Sequence, residues 1–305
     1  MDSLSRANVE FCLDMFKELN SNNAGDNIFF SPLSLLYALS MILLGARGNS
    51  AEQMEKVLHF NHIAGSLKPR FTGSSKCSQT GNIHSEFGVL FSQINQPDSN
   101  YTLSIANRLY GTKAMAFHQG KSVIVEMMYQ TGTFKLAFIK EPQIQVLELP
   151  YVNNKLSMII LLPVGTANLE QIEKQLNVKT FYEWTSSSNM MEREVEVHIP
   201  RFKLEIKYEL NSLLKSLGMT DIFNQIKADL SGISPAKGLY LSKVIHKSYV
   251  DVNEEGTEAA AATGDSFIVK RLPIRAKFVA NHPFLFFIRH IQTNTILFCG
   301  KLASP

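Results

Sequence analysis

"EEGTEAAAATG", Glu254–Gly264, is followed within a few residues by the dibasic pair in "FIVKRLP", Phe267–Pro273. Four consecutive alanines favour helix, because alanine loses no side-chain entropy there. The run is nevertheless opened by Gly256-Thr257 and closed by Thr263-Gly264, which is poor grammar for a helix. It is a stretch of tiny side chains that is neither a committed helix nor an ordinary loop. A trypsin-type cleavage signal, Lys270-Arg271, lies just beyond it.

The chain around it has 305 residues, 45% of them apolar and 19% charged, the balance of a soluble globular protein. A formal charge of +3 is too small at this length to argue for nucleic acid or an anionic membrane as the main partner. Cys12, Cys77 and Cys299 are odd in number and far apart, with no spacing that would hold a metal. Free thiols in a reducing compartment are therefore expected. The start, "MDSLSRANVEFCLDMFKEL", has no basic segment leading into an apolar run, so no cleavable signal peptide is read. The sequon Asn100-Tyr101-Thr102 would matter only in a secreted chain.

Val9, Cys12/Leu13, Phe16 and Leu19 mark an amphipathic helix. Ile28–Ala46 is the most apolar segment, broken by Ser31, Pro32, Ser34 and Ser40 and short for a membrane span, so a buried helix is expected. Ser31-Pro32 supplies its cap and first turn, and Gly45 its stop. Gly73–Gly81 reads as an exposed loop. From about Val123 the grammar becomes that of strands. "QIQVLELPYVNNKLSMIILLP" is a hairpin about Asn153-Asn154. "VEVHIPRFKLEI" alternates at Val195, Val197, Ile199, then Phe202, Leu204, Ile206, as half-buried antiparallel strands do. Leu210, Leu213, Leu214 and Leu217 before Gly218 form a helix, and the carboxy-terminal apolar run turns at Thr293-Asn294. Helices first and strands after give an α+β fold. No GxSxG, HExxH, Walker or GxGxxG motif occurs, and His246 sits alone in a strand-like segment. Nothing supports an enzyme, a cofactor or a metal site.

Five stretches carry a family: "NIFFSPLSLLYALSMILLGARGNSAEQM", "SIANRLYGTK", "LELPYVNNKLSMIILLP", "HKSYVDVNEEGTEAAAATG" and "HPFLFFIRHIQTNTILFCGKLASP". In that order they closely resemble the serpins, in particular the ovalbumin-like intracellular branch. The resemblance implies one domain over residues 1–305, with N-terminal helices, mixed and antiparallel sheets, and an exposed reactive-centre loop at about 254–278. It also implies a bait mechanism. A protease cuts the loop, and the freed hinge (Glu254, Glu255, Gly256, Thr257, Glu258, Ala259, Ala260, Ala261, Ala262, Thr263) enters the main sheet as a new strand. Such a strand needs small side chains on its inward face, and Thr257, Ala259, Ala261 and Thr263 share one face at period two. Asp265 falls on that face too, where burying its carboxylate is costly. Counting along the family pattern puts the cleavage residue at Lys270, with Arg271 next. Ser31, Ser34 and His246 match residues at the middle of the family's sheet.

One departure stands out. After "SIANRLYGTKAMAFHQ" the family continues with two helices and several strands, but here Gln119 runs directly into Gly120 and "KSVIVEMMYQ". The lost block includes the helix covering the main sheet, the strand beside which the hinge would insert, and the asparagine partner of Ser31, Ser34 and His246. Two expectations follow. The first is a suicide-substrate inhibitor of trypsin-like serine proteases, monomeric and cytoplasmic, with release by a route lacking a signal peptide left open. The second is a non-inhibitory serpin-like chain, a cleaved substrate or interaction module with an aggregation-prone sheet edge.

Overall fold

The computed structural model describes residues 3–22, 24–64, 77–95, 126–151, 154–186, 188–234, 238–253 and 275–304. The chain begins with α1 (Ser3–Asn22), which buries Val9, Cys12, Leu13 and Phe16 as its periodicity predicts. The helix expected in the apolar segment Ile28–Ala46 forms from its cap at Ser31 to Gly45, and the residues ahead of the cap are a strand. Ile28–Phe30 is a short strand, β1, and only Pro32–Gly45 is helical, as α2. The break falls at Ser31, whose Oγ accepts from the Ser34 N–H at 3.2 Å to cap α2. α3 (Gly48–Val57), the single turn α4 (Asn61–Ala64) and α5 (Cys77–Ile94) complete the helical half. α5 starts inside the stretch read as a loop, so residues 77–81 are helical. The apolar side chains Ile83, Phe87, Leu90 and Ile94 further along α5 are buried in the core, and that docking carries the helix back through polar residues.

The strands are β2 (Met127–Ile139), β3 (Ile144–Pro150), β4 (Leu156–Pro163), β5 (Met191–Pro200), β6 (Phe202–Glu209), β7 (Ile245–Val252), β8 (Ala276–Val279), β9 (Phe284–His290) and β10 (Thr295–Leu302). Three short helices lie between them: α6 (Leu169–Gln175), α7 (Val178–Trp184) and α8 (Asn211–Leu217). The described residues form an eight-stranded sheet, in the order β1-β10-β9-β4-β3-β2-β5-β8, and a separate two-stranded ladder, β6-β7. Every pairing is antiparallel except β5 with β8, so the large sheet is mixed. β8 begins at Ala276, so the last residues of the 254–278 stretch belong to this sheet.

β4 and β9 explain the unbroken apolar runs. Ile159, Leu161, Leu285 and Phe287 join the core shared with the helices, while Met158, Ile160, Phe284 and Phe286 join a second core shared with the ladder. Both faces are covered, and a strand buried on both sides has no polar alternate. The chain is thus layered as helices, large sheet and ladder. β5 and β6 are consecutive in sequence but part at Pro200-Arg201, one entering each sheet.

Cys12 on α1 meets Cys299 on β10, and both are fully buried free thiols. Burial, then its neighbour Cys299, pushes the Cys12 thiol well above its ordinary range, which leaves it inert. Glu148 is a buried carboxylate with Arg289 Nη2 at 2.8 Å and Ser157 Oγ at 2.7 Å. Burial alone would raise its pKa, but Arg289, Ser157 and Lys135 together carry it below the usual value. It is a structural ion pair, with no second carboxylate in that set to make a catalytic dyad.

Candidate functional site

β7 is the strand that leads into the small-residue stretch, and its side chains alternate. His246, Ser248, Val250 and Val252 share the face turned to the core, while Lys247, Tyr249 and Asp251 share the other. On β6, Phe202, Leu204, Ile206 and Tyr208 face inward and Lys203, Glu205, Lys207 and Glu209 outward. The outward face carries ion pairs between Lys203 and Asp251 at 2.8 Å and between Lys247 and Glu205.

Inward, the polar positions make three bonds to the corner where β1 passes into α2. The Ser31 N–H donates to His246 Nε2 at 3.0 Å. Ser248 Oγ donates to the Phe29 carbonyl at 2.6 Å, and the Phe29 N–H donates to the Tyr208 hydroxyl at 3.2 Å. On its other side β1 pairs with β10, Phe29 standing opposite Gly300. The ladder's side chains therefore satisfy backbone groups of β1 and the α2 cap that no strand takes up.

His246 must accept at Nε2, so the neutral ring carries its proton on Nδ1. Burial holds its pKa down at about 4 instead of 6.5, in keeping with a residue 7% exposed. Burial likewise pushes the Tyr208 hydroxyl up to about 12.

Ser31, Ser34 and His246 are thus brought together: Ser31 touches the other two, and all three are buried. Glu254 to Thr263, Lys270 and Arg271, and the seam at Gln119-Gly120, lie outside the described residues. Sequence reading missed Tyr208 and Ser248. The available signal was a serine and a tyrosine on the inward parity of otherwise apolar strands. On its other side β7 has no strand partner among the described residues.

β7, which has no second strand partner among the described residues, is followed in sequence by the small-residue stretch from Glu254. The pattern of the serpin (serine protease inhibitor) family matches residues 6–120 and 112–305, and the chain belongs to that family. Its similarities place it on the ovalbumin-like, B-type branch. It is 65% identical to human Serpin B11 over 392 aligned positions and 37% identical to the horse leukocyte elastase inhibitor over 396, covering all of both chains in each case. Uncleaved ovalbumin superposes with a TM-score of 0.79 at 29% identity, again covering all of both chains.

The alignment length locates the loss. Against 392 positions this chain brings 305 residues, and the two family matches overlap at 112–120. An internal deletion there removes part of the main sheet and its covering helix. The described remainder of that sheet is β6 and β7.

Proposed function

We propose that this chain is a serpin-type inhibitor that offers the stretch from Glu254 as bait to trypsin-like serine proteases. Lys270 is the residue after which the protease cuts, with Arg271 as the neighbouring alternative, and an acidic specificity pocket recognises either. The freed hinge, Glu254–Thr263, then pairs along the open edge of β7, with Thr257, Ala259, Ala261 and Thr263 turned inward. The observation that carries this reading is β7 itself, a docked strand with no second strand partner among the described residues, whose last residues are followed in sequence by the hinge. Ser31, Ser34 and His246 hold the corner on which that strand rests. We place the activity in the cytoplasm, with release lacking a cleaved signal peptide as a second location.

One observation favours a second reading, in which the loop is cut and nothing is trapped. With only β6 and β7 in that sheet among the described residues, an inserted hinge would be flanked on one side and would form about half the ladder bonds of a central strand. The deciding experiment incubates the full chain with trypsin and follows the products by denaturing gel and mass spectrometry. A covalent protease complex is expected, lost when Lys270→Ala and Arg271→Ala are combined. Clean cleavage after Lys270 or Arg271 with the trypsin left active would establish the second reading. Continued cutting between Val269 and Leu272 in the double variant would refute the assignment of the cleavage residues.

A further inference from the structure

Among the described residues, β2 has a strand paired on both sides only at Lys135 and Leu136. β5 pairs with it from Met127 to Leu136, but β3 joins only at Lys135. Over Met127–Phe134 no described strand pairs with β2 on the side that β3 takes up from Lys135. Two bonds fix which backbone groups face that opening. The Arg201 N–H donates to the Glu126 carbonyl at 2.8 Å, so residue 126 directs its polar groups toward the β5 side. His198, opposite Tyr129, gives its carbonyl to the Ala280 N–H at 2.9 Å and so directs its own away from β2. Alternation then sends the N–H and C=O of Met127, Tyr129, Thr131 and Thr133 out to the open side.

Among the described residues, this edge has none of the usual protections. Met127–Phe134, "MMYQTGTF", contains no charge and no proline, and its pairing with β5 runs without a bulge. Met127 and Tyr129 add exposed apolar surface, at 36% and 59%. The free edge of β7 differs in carrying Lys247 and Asp251.

We propose that β2 of a second copy of this chain pairs antiparallel against this edge, about a two-fold axis through Gln130. Opposed residues in a continuous sheet must point to the same face, which a two-fold through a residue satisfies. In this register Met127 faces Thr133 of the partner subunit and Tyr129 faces Thr131 of the partner subunit. All four outward N–H and C=O pairs then bond without remainder. No charge lies within Met127–Thr133 of either copy, so none is brought against its like there, and an isologous contact of this kind closes at two copies. The chain is on this account a dimer rather than the monomer expected from its sequence.

The test is sedimentation velocity on the full chain at micromolar concentration. The unmodified chain is expected at twice its monomer mass. Thr131→Pro removes an outward N–H, leaves the β5 ladder intact and is expected to be monomeric, with unchanged circular dichroism. Tyr129→Lys and Thr131→Glu are each expected to abolish self-association, and mixing the two chains should restore a dimer to within about tenfold of the original Kd, because the new charges are opposed in this register. The proposal is overturned by a monomer at every concentration, by Thr131→Pro dimerising as tightly as the unmodified chain, or by no association in the mixture. Open-ended oligomers that Thr131→Pro leaves unchanged would assign association to β7 and overturn it equally.

Discussion

His246 holds the Ser31 N–H only while its ring is neutral, and this makes the corner between β1 and α2 sensitive to acid. Its folded pKa, about 4, lies below the ordinary 6.5, so between those values the unfolded chain binds a proton that the folded chain refuses. The contribution is complete above pH 6.5 and is lost as pH falls toward 4, in total on the order of 3 kcal/mol. His290, also lowered by burial and then by Lys155, acts with the same sign. Urea midpoints should therefore fall between pH 7 and pH 5, above the range where carboxylates titrate. His246→Gln, whose amide oxygen can accept from Ser31 without titrating, should show a shallower fall; an unchanged slope would remove His246 as the cause. Family resemblance singled out Ser31 and His246 in the sequence, but not the bond between the Ser31 N–H and the His246 ring. Tyr208 and Ser248 were not singled out, since they bond backbone atoms 179 and 219 positions away, and no local pattern encodes a partner at that range.

At the scale of elements, a two-stranded ladder alone is marginal in water, so β6 and β7 depend on their docking. Phe202, Leu204, Ile206, Val250 and Val252 supply the apolar contact, and the three bonds to Phe29 and Ser31 fix its position. Ser248→Ala leaves the Phe29 carbonyl buried without that donor, at a cost of about 1–3 kcal/mol. Chemical denaturation should show that loss, together with faster proteolysis of β6 and β7; a change below about 0.5 kcal/mol would mean that apolar packing alone seats the ladder. The elements themselves were largely legible. α2 begins at Pro32 and ends at Gly45 as its capping residues direct, and the β9–β10 hairpin turns through Asn294 in the left-handed region, φ 57°. What was not legible was which sheet each strand joins. β5 and β6 alternate identically, and only the three-dimensional course past Pro200 separates them.

For the molecule as a whole, β7 and the first part of β2 each have a side on which no described strand pairs, and the sequence disclosed only the first. Motif order located the seam and the thinned main sheet, but the bare half of β2 depends on where β3 stops pairing, which no spacing records. The ladder's outer face tolerates the loss of a covering helix because it is polar, with Lys203–Asp251 and Lys243–Glu209 each paired at 2.8 Å. Such exposed pairs stabilise little, but they keep that face largely polar around Tyr249. The same geometry limits what insertion can contribute. A hinge paired only with β7 makes about half the bonds of a strand set between two neighbours, on the order of 5 kcal/mol at about 0.5–1.5 kcal/mol each. In a chain of this size that is a rise of roughly 5–10 °C in melting temperature on cleavage. Scanning calorimetry of loop-cleaved against intact chain should show this rise. Thr257→Arg, which puts a large charge on the hinge's inward face, should abolish it while leaving cleavage itself unaffected. An identical melting temperature before and after cleavage would mean that β7 accepts no third strand, and the loop would then be a substrate and nothing more.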